Sequence, residues 1–292
     1  RIIMESIAVH LKNKPSESIR MESLPVSEAL KQLQVGGLDR IVAVKIDGLL
    51  CDLTCPITSN AELEPVYVTS DEGIHILRHS TSHVMAMAVQ ELFPGVKVTI
   101  GPAIAEGFYY DFDYERPFKE EDLKAIEEKM EEIIGKDLPF VRKEMSSRSA
   151  IDFFTDLKGE YKVELINDLG SEQVSLYTQG NFTDLCRGPH IPSTGMIKAF
   201  HLTKVAGAYW RGDEKRSMLS RIYGTAFPDR KSLKKYLTRL EEAKKRNHVK
   251  LGGQLGLFST HEEIGAGMIV WHPRGAMLRY ILEDFETKEH LR

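Results

Sequence analysis

Thr69-Ser70-Asp71-Glu72-Gly73-Ile74-His75-Ile76-Leu77-Arg78-His79-Ser80-Thr81-Ser82-His83-Val84-Met85-Ala86-Met87-Ala88-Val89-Gln90-Glu91-Leu92-Phe93-Pro94-Gly95 is the stretch on which the organisation of the chain turns. A capping hydroxyl and first-turn acids open it, an apolar run fills it, and Pro94-Gly95 ends it near Phe93, which is the pattern of one long, largely buried helix. Within it His79 and His83 stand at i and i+4, one turn apart on one face. That polar face interrupts an otherwise apolar helix.

Short β-rich runs surround this helix. Upstream, Ile7 to Leu11, Ile41 to Ile46 and Leu63 to Val68 read as strands and Val26 to Gln34 as a helix, a small mixed sheet around one helix. Asp47-Gly48 is a two-residue hairpin signal, since both residue types tolerate positive φ. Downstream, Val96 to Ile100, Phe108 to Phe112, Tyr161 to Ile166, Val174 to Tyr177, Ile197 to Val205 and Met218 to Tyr223 read as strands. Lys119 to Ile134, closed by Gly135, and Ser149 to Leu157 read as helices. The fold class expected is α+β.

With 292 residues, 42% hydrophobic and 28% charged, the chain is long enough for two domains and more. Net charge is −4, which excludes a uniformly basic nucleic-acid coat but not a local basic element. Asp229 to Lys250 is such an element: nine basic residues, among them Lys231, Lys234, Lys235, Arg239, Lys244 and Lys245, stand against three acids, a local +6. Leu233, Tyr236, Leu237 and Leu240 form its core-facing stripe, and the cations are expected to face a phosphate backbone or simply solvent. Gly252-Gly253 is expected to break this helix. No apolar run approaches the ~20 residues of a membrane helix. Three cysteines and no secretory leader point to a reducing cytoplasm. Cys51 and Cys55 read as small core residues. Both ends read as cut, for there is no initiator Met and Gly275 to Arg292 carries helical periodicity without a stop signal.

Cys186-Arg187-Gly188-Pro189-His190 repeats the four-residue interval of the histidine pair in a segment too rich in Gly and Pro for a helix. If the two pairs converge, His79, His83, Cys186 and His190 form either a tetrahedral zinc set or a metal-free pocket in which a His handles water. Scattered structural histidines are the third possibility. Lys162 on its strand, Asp184, and Tyr109 with Tyr110 are nearby candidates for charge stabilisation and substrate contact. Ala206 to Asp213 reads as a small-residue turn suited to close ligand approach or to packing aromatics.

These segments together, with Gly101-Pro102 through Gly107-Phe108-Tyr109-Tyr110-Asp111 and Arg221-Ile222-Tyr223-Gly224-Thr225-Ala226-Phe227, resemble the N-terminal half of the threonyl-tRNA synthetase family. The resemblance implies four parts: residues 1–68 a ubiquitin-like β-grasp TGS domain, 69–228 an α+β editing domain, 229–250 a basic linker helix, and 251–292 the truncated start of a class II core, with Met268 to Gly275 as motif 1. It further implies that ATP, Mg and the catalytic-domain Zn of the full enzyme bind beyond residue 292, leaving hydrolysis of mischarged seryl-tRNA-Thr as the activity here. A missing methyl gives only about 1–3 kcal/mol of discrimination, so a hydrolytic second sieve is the expected remedy.

By the same resemblance His79 orients or activates water and Lys162 supports the charged transition state. Cys186 and Asp184 hold the seryl side chain and amine, while His83, His190 and Tyr110 shape the pocket. No cofactor or metal is expected for editing, with the three imidazoles and Cys186 as the fallback zinc set. The tRNA is the expected partner, the full enzyme a homodimer and the fragment a monomer, and the membrane plays no part. Ser82, where the family has a small apolar residue, and Asn13-Lys14-Pro15, in place of an Asp-Gly turn, depart from the pattern. Two other readings compete: a zinc-stabilised, non-catalytic RNA-binding module, and a free-standing editing protein of the alanyl type, against which motif 1 argues.

Overall fold

The computed structural model describes residues 7–21, 23–265 and 267–292. Residues up to Leu233 form one compact unit and Lys234–Arg292 a second.

The first unit begins with strands β1 (Ile7–Leu11) and β2 (Lys14–Met21), helix α1 (Val26–Gln32), and strands β3 (Ile41–Ile46), β4 (Leu49–Cys51) and β5 (Ala61–Tyr67). The sheet order is β2-β1-β5-β3-β4. β1 pairs parallel with β5 and the other neighbours are antiparallel. Val26, Ala29 and Leu30 of α1 bury against Val9, Val44 and Leu63, as the helical spacing of one set and the alternation of the other require. Asp47 and Gly48 take positive φ (50° and 84°), so the tight turn pairs Ile46 with Leu49. Cys51 and Cys55 sit half-buried against this core as free thiols, and burial pushes Cys55 up to about 11. The first hairpin turns at Lys12 and Asn13, so that Lys14 and Pro15 already lie on β2.

Helix α2 (Asp71–Leu92) follows, its first turn capped by the Ser70 hydroxyl, which accepts from the Gly73 N–H. Every residue from Ile76 to Val89 except His79 is buried. One face packs with Val42, Ala43 and Val66 of the N-terminal sheet, another with Phe108, Tyr110 and Phe112. Short strands β6 (Lys97–Val98) and β7 (Ala103–Ile104) lead to β8 (Gly107–Asp113), then helix α3 (Glu120–Gly135), strand β9 (Val141–Ser146), helices α4 (Ser147–Asp156) and α5 (Glu160–Leu169), and strands β10 (Gln173–Gln179), β11 (Phe182–Leu185), β12 (Ala199–Tyr209) and β13 (Met218–Phe227). They form a sheet in the order β12-β13-β8-β6, with β7 also on β8, and a three-stranded sheet β11-β10-β9. Leu123, Ile126, Met130 and Ile133 give α3 its buried face.

Several segments differ from what their sequence predicts. Tyr161 to Ile166 is not a strand but lies in α5. Its short apolar run fits both periods, but Tyr161, Lys162 and Ile166 bury together at helical spacing, and Gly159 and Gly170 bound the helix. Ala206 to Tyr209 is not a turn but the end of β12, paired with Met218 to Arg221, and the chain reverses only beyond Trp210. Asp229 to Lys250 is not one helix: α6 (Arg230–Lys245) and α7 (His248–Gln254) are separate. The Asn247 side chain accepts from the Val249 and Lys250 N–H groups and starts the second. Gly252 and Gly253 therefore lie inside a helix, and a Cβ on Gly252 would stand 2.1 Å from the Phe258 ring; close packing, not helix breaking, demands glycine there. The stripe at Leu233, Tyr236, Leu237 and Leu240 is only half-buried, and α6 has no buried residue.

The second unit continues with β14 (Phe258–Thr260) paired antiparallel to β15 (Ile269–Trp271), and with α8 (Pro273–His290).

Candidate active site

Helix α2 carries three consecutive buried hydroxyls into the core, and each is satisfied by backbone. Thr81 donates to the Leu77 carbonyl (2.7 Å) and the Ser82 oxygen lies 2.7 Å from the Gly101 carbonyl, so Ser82 suits its buried position by linking α2 to the segment before β8. Ser80 does more. It lies 2.8 Å from the Ile76 carbonyl, accepts the Ile191 N–H (3.0 Å), and stands 3.0 Å from His190 Nδ1. One hydroxyl proton satisfies this set when it goes to Ile76 and His190 donates from Nδ1. The lone pair of His190 Nε2 then points at Cys186 Sγ, 3.3 Å away.

The two four-residue pairs do converge. One turn of α2 brings His79 and His83 together, and the loop after β11 brings Cys186 and His190 against them. Cys186 Sγ is 3.3 Å from His79 Nε2, ring centroids of His79 and His83 each lie 4.4 Å from that of His190, and one donor atom from each of the four residues falls within 4.8 Å of the others. Among the described residues this is the one cluster with such spacing. His190 is further held by stacking on Phe140 (4.8 Å, 3° between planes) and by the edge of Tyr177 at 4.5 Å.

Burial sets the protonation states. Burial and the neighbouring His83 push His79 down to about 3 even though its edge reaches solvent. Burial likewise lowers His83 to about 4 and His190 well below its ordinary value. All three are neutral at pH 7. Burial also pushes Cys186 up to about 12, so in this environment it is a thiol and a poor nucleophile. Nδ1 of His83 is buried without a hydrogen-bond partner, a free polar atom aimed at no protein group.

Beside the cluster lies a closed charged ring. Lys162 pairs with Asp184 Oδ1 and donates to the Tyr110 hydroxyl (3.1 Å), which donates to Asp184 Oδ2 (2.5 Å). Lys162 and Asp184 are each 2% exposed. Burial alone would raise the Asp184 carboxyl, but Lys162 and His83 outweigh it and hold the group below its ordinary value. Lys162 comes from helix α5 rather than from a strand, and both Asp184 oxygens are engaged by protein. His83 Nε2 lies 3.7 Å from Asp184, which joins the ring to the imidazoles. The cations Lys231, Lys234, Lys235, Arg239, Lys244 and Lys245 are instead distributed, exposed, along α6.

Ser80, Phe140, Tyr177 and Asp52 were not singled out from sequence. Ser80 sits inside the histidine motif, and its position one residue from His79 was a usable signal. Asp52 lies 138 positions from His190, whose N–H it accepts at 2.9 Å, and nothing in its local sequence marks it.

Comparison with known proteins agrees with the resemblance read from the motifs. Residues 174–223 match the family model of the threonyl and alanyl tRNA synthetase second additional domain. The chain is 61% identical over 251 residues to a threonine–tRNA ligase of Geobacter sp. (strain M21), covering 86% of this chain and 40% of that protein. Corresponding figures are 58% over 268 residues (91% and 41%) for the enzyme of Maridesulfovibrio salexigens and 51% over 289 residues (99% and 45%) for that of Pelobacter propionicus. This chain thus spans about two fifths of the length of the curated relatives it matches.

Proposed function

We propose that this chain is the proofreading part of a threonine–tRNA ligase, which hydrolyses the seryl ester on mischarged tRNA-Thr. The observation that carries the reading is the convergence of neutral His79, His83 and His190 with the Cys186 thiol beside the Lys162–Asp184–Tyr110 ring. In this reaction a water oxygen attacks the ester carbonyl, a water proton passes to the departing ribose oxygen, and free serine and deacylated tRNA result. His79, the imidazole that reaches solvent, accepts a hydrogen bond from the attacking water. Its low basicity suits orientation rather than full deprotonation of that water. The Lys162 ammonium supplies fixed positive charge for the negative charge that develops on the carbonyl oxygen. Cys186, as a thiol, offers the seryl hydroxyl a polar contact rather than a covalent route. His79→Ala is expected to lower single-turnover deacylation of seryl-tRNA by at least about tenfold with the thermal midpoint preserved; an unchanged rate overturns the assignment of His79.

One observation favours a second reading. A tetrahedral zinc ion with bonds of ~2.0–2.3 Å needs donors ~3.3–3.8 Å apart. The four donor atoms here, lying within 4.8 Å with His190 Nδ1 already tied to Ser80, fit that ion after small side-chain shifts. Bound there, zinc would lower the pKa of a water and of Cys186. A zinc-stabilised module that binds RNA without turnover follows if the chain holds the metal stoichiometrically and hydrolyses nothing.

The remaining parts of the reading follow from the family. The sheet of β1 to β5 around α1 is a TGS-type β-grasp domain, α6 a basic linker toward the tRNA phosphates, and α7 to α8 the beginning of a class II core. The complete enzyme uses ATP, Mg and a zinc bound outside this chain, acts as a homodimer and works in the cytoplasm. Among the described residues no helix is long and apolar enough to cross a membrane.

A further inference from the structure

The N-terminal sheet reaches into the site through one side chain. Asp52, in the loop after β4, is 8% exposed and lies under the Cys186 to His190 loop. Its Oδ1 accepts the His190 backbone N–H at 2.9 Å and its Oδ2 accepts the Tyr177 hydroxyl at 2.5 Å. Tyr177 in turn sets its ring edge on the His190 imidazole. Among the described residues no Lys, Arg or His forms a direct ion pair with Asp52; Arg142 of β9, paired with Glu144, acts on it only from farther away. Burial of a carboxylate with no directly paired cation is costly unless hydrogen bonds repay its lost hydration, and both side-chain bonds seen here end on groups that fix His190. An apolar side chain would fill the same space at lower cost, so the carboxylate is explained by what it holds.

We infer that Asp52 is a positioning residue of the hydrolytic site, by which the small N-terminal domain sets the height and orientation of His190 beneath Cys186. The inference rests on the hydrolytic reading of the site. His190 is then located from three sides: Asp52 at its amide, Ser80 at Nδ1, and Phe140 with Tyr177 at its faces. The first of these comes from a domain that the resemblance treats as separate. A displacement of about 1 Å at such a point is enough to cost a large factor in rate.

Asp52→Ala and Asp52→Asn, made in this chain, separate the role from mere stability. Asn retains an acceptor for the His190 amide while its NH2 donates to Tyr177, whose hydroxyl can accept. The Ala variant is expected to lower kcat for seryl-tRNA deacylation at least about tenfold with KM within about twofold, and Asn to restore kcat to within about threefold of the parent. Amide hydrogen exchange at His190 should accelerate at least about tenfold in the Ala variant while exchange at Val84 in α2 stays unchanged. Unchanged exchange at His190, or a parent-like kcat in the Ala variant, overturns the inference. If the parent itself does not deacylate seryl-tRNA, the hydrolytic reading fails, and the exchange data alone decide whether Asp52 holds His190. Should the Ala variant lose protection at Val84 as well, Tyr177→Phe, which removes one hydroxyl, takes its place: a kcat reduced about threefold with faster His190 exchange supports the inference, and parent-like values of both overturn it.

Discussion

Helices α2 and α8 have comparable length and apolar content yet opposite fates. Of the 22 residues of α2, fourteen are buried, including the polar Arg78, Ser80, Thr81, Ser82 and His83. Of the 18 residues of α8 only Gly275 is buried, while Met277, Leu278, Tyr280, Ile281, Leu282 and Phe285 are exposed. Apolar composition thus does not decide burial. What distinguishes α2 is that two sheets and a loop cover it, while its polar groups bond to its own carbonyls and to groups of those neighbours. The proposed site lies where that bonding is nearly complete and where, on α2, His83 Nδ1 is left without a hydrogen-bond partner.

The contrast can be broken most severely at the charged ring beside α2. Lys162→Met leaves Asp184 buried without its cation and should cost about 3–5 kcal/mol in urea unfolding. Adding Asp184→Asn should recover part of that loss, and full stability in the single variant would show that the pair is not what makes the site costly to disturb.

Acid should act on the same region next. With folded values near 3 for His79 and 4 for His83, below the ordinary 6.5, the unfolded chain takes up protons before the folded one. Stability is therefore full above about pH 6.5 and declines as pH falls toward 4, by roughly 1 kcal/mol per pH unit for each such group. Urea titrations between pH 7 and 4 measure this. A variant with His83→Gln should show a shallower slope, and an identical slope would mean that His83 is not held neutral.

A smaller loss is expected from Ser80→Ala, which strands the Ile191 N–H and frees His190 Nδ1. About 1–3 kcal/mol of stability should go, with deacylation falling more than KM rises. The smallest effect belongs to α8: Leu282→Ala should change the stability of this chain by less than about 0.5 kcal/mol, where Leu77→Ala in α2 should cost about 2–5 kcal/mol. Similar losses at both positions would erase the distinction between the helices.

The same distinction governs what was readable in the sequence. The cap at Ser70, the Asp47-Gly48 turn and the i, i+4 histidines are local signals, and local physics produces them. Two of the three open readings require the two pairs to converge and the third does not, and sequence cannot choose between them, since spacing within a pair says nothing about the distance between pairs. Lys162 was identified as a candidate yet placed on the wrong element, because six residues of mixed periodicity cannot separate strand from helix without the bounding glycines. Gly252 was read as a breaker, for the ring of Phe258 that requires it lies six residues on and only folding brings the two together. Nothing local marks the roles of Asp52 and Tyr177: their meaning is the contact with His190, and that contact exists only in three dimensions.

The central claim is that the buried cluster on α2 is a hydrolytic sieve. Deacylation of seryl-tRNA and threonyl-tRNA by this chain, at high enzyme concentration and with and without a zinc chelator, tests it most directly. The account predicts selective loss of serine that the chelator leaves unchanged. No hydrolysis of either ester, together with stoichiometric zinc that the chelator removes, would contradict it.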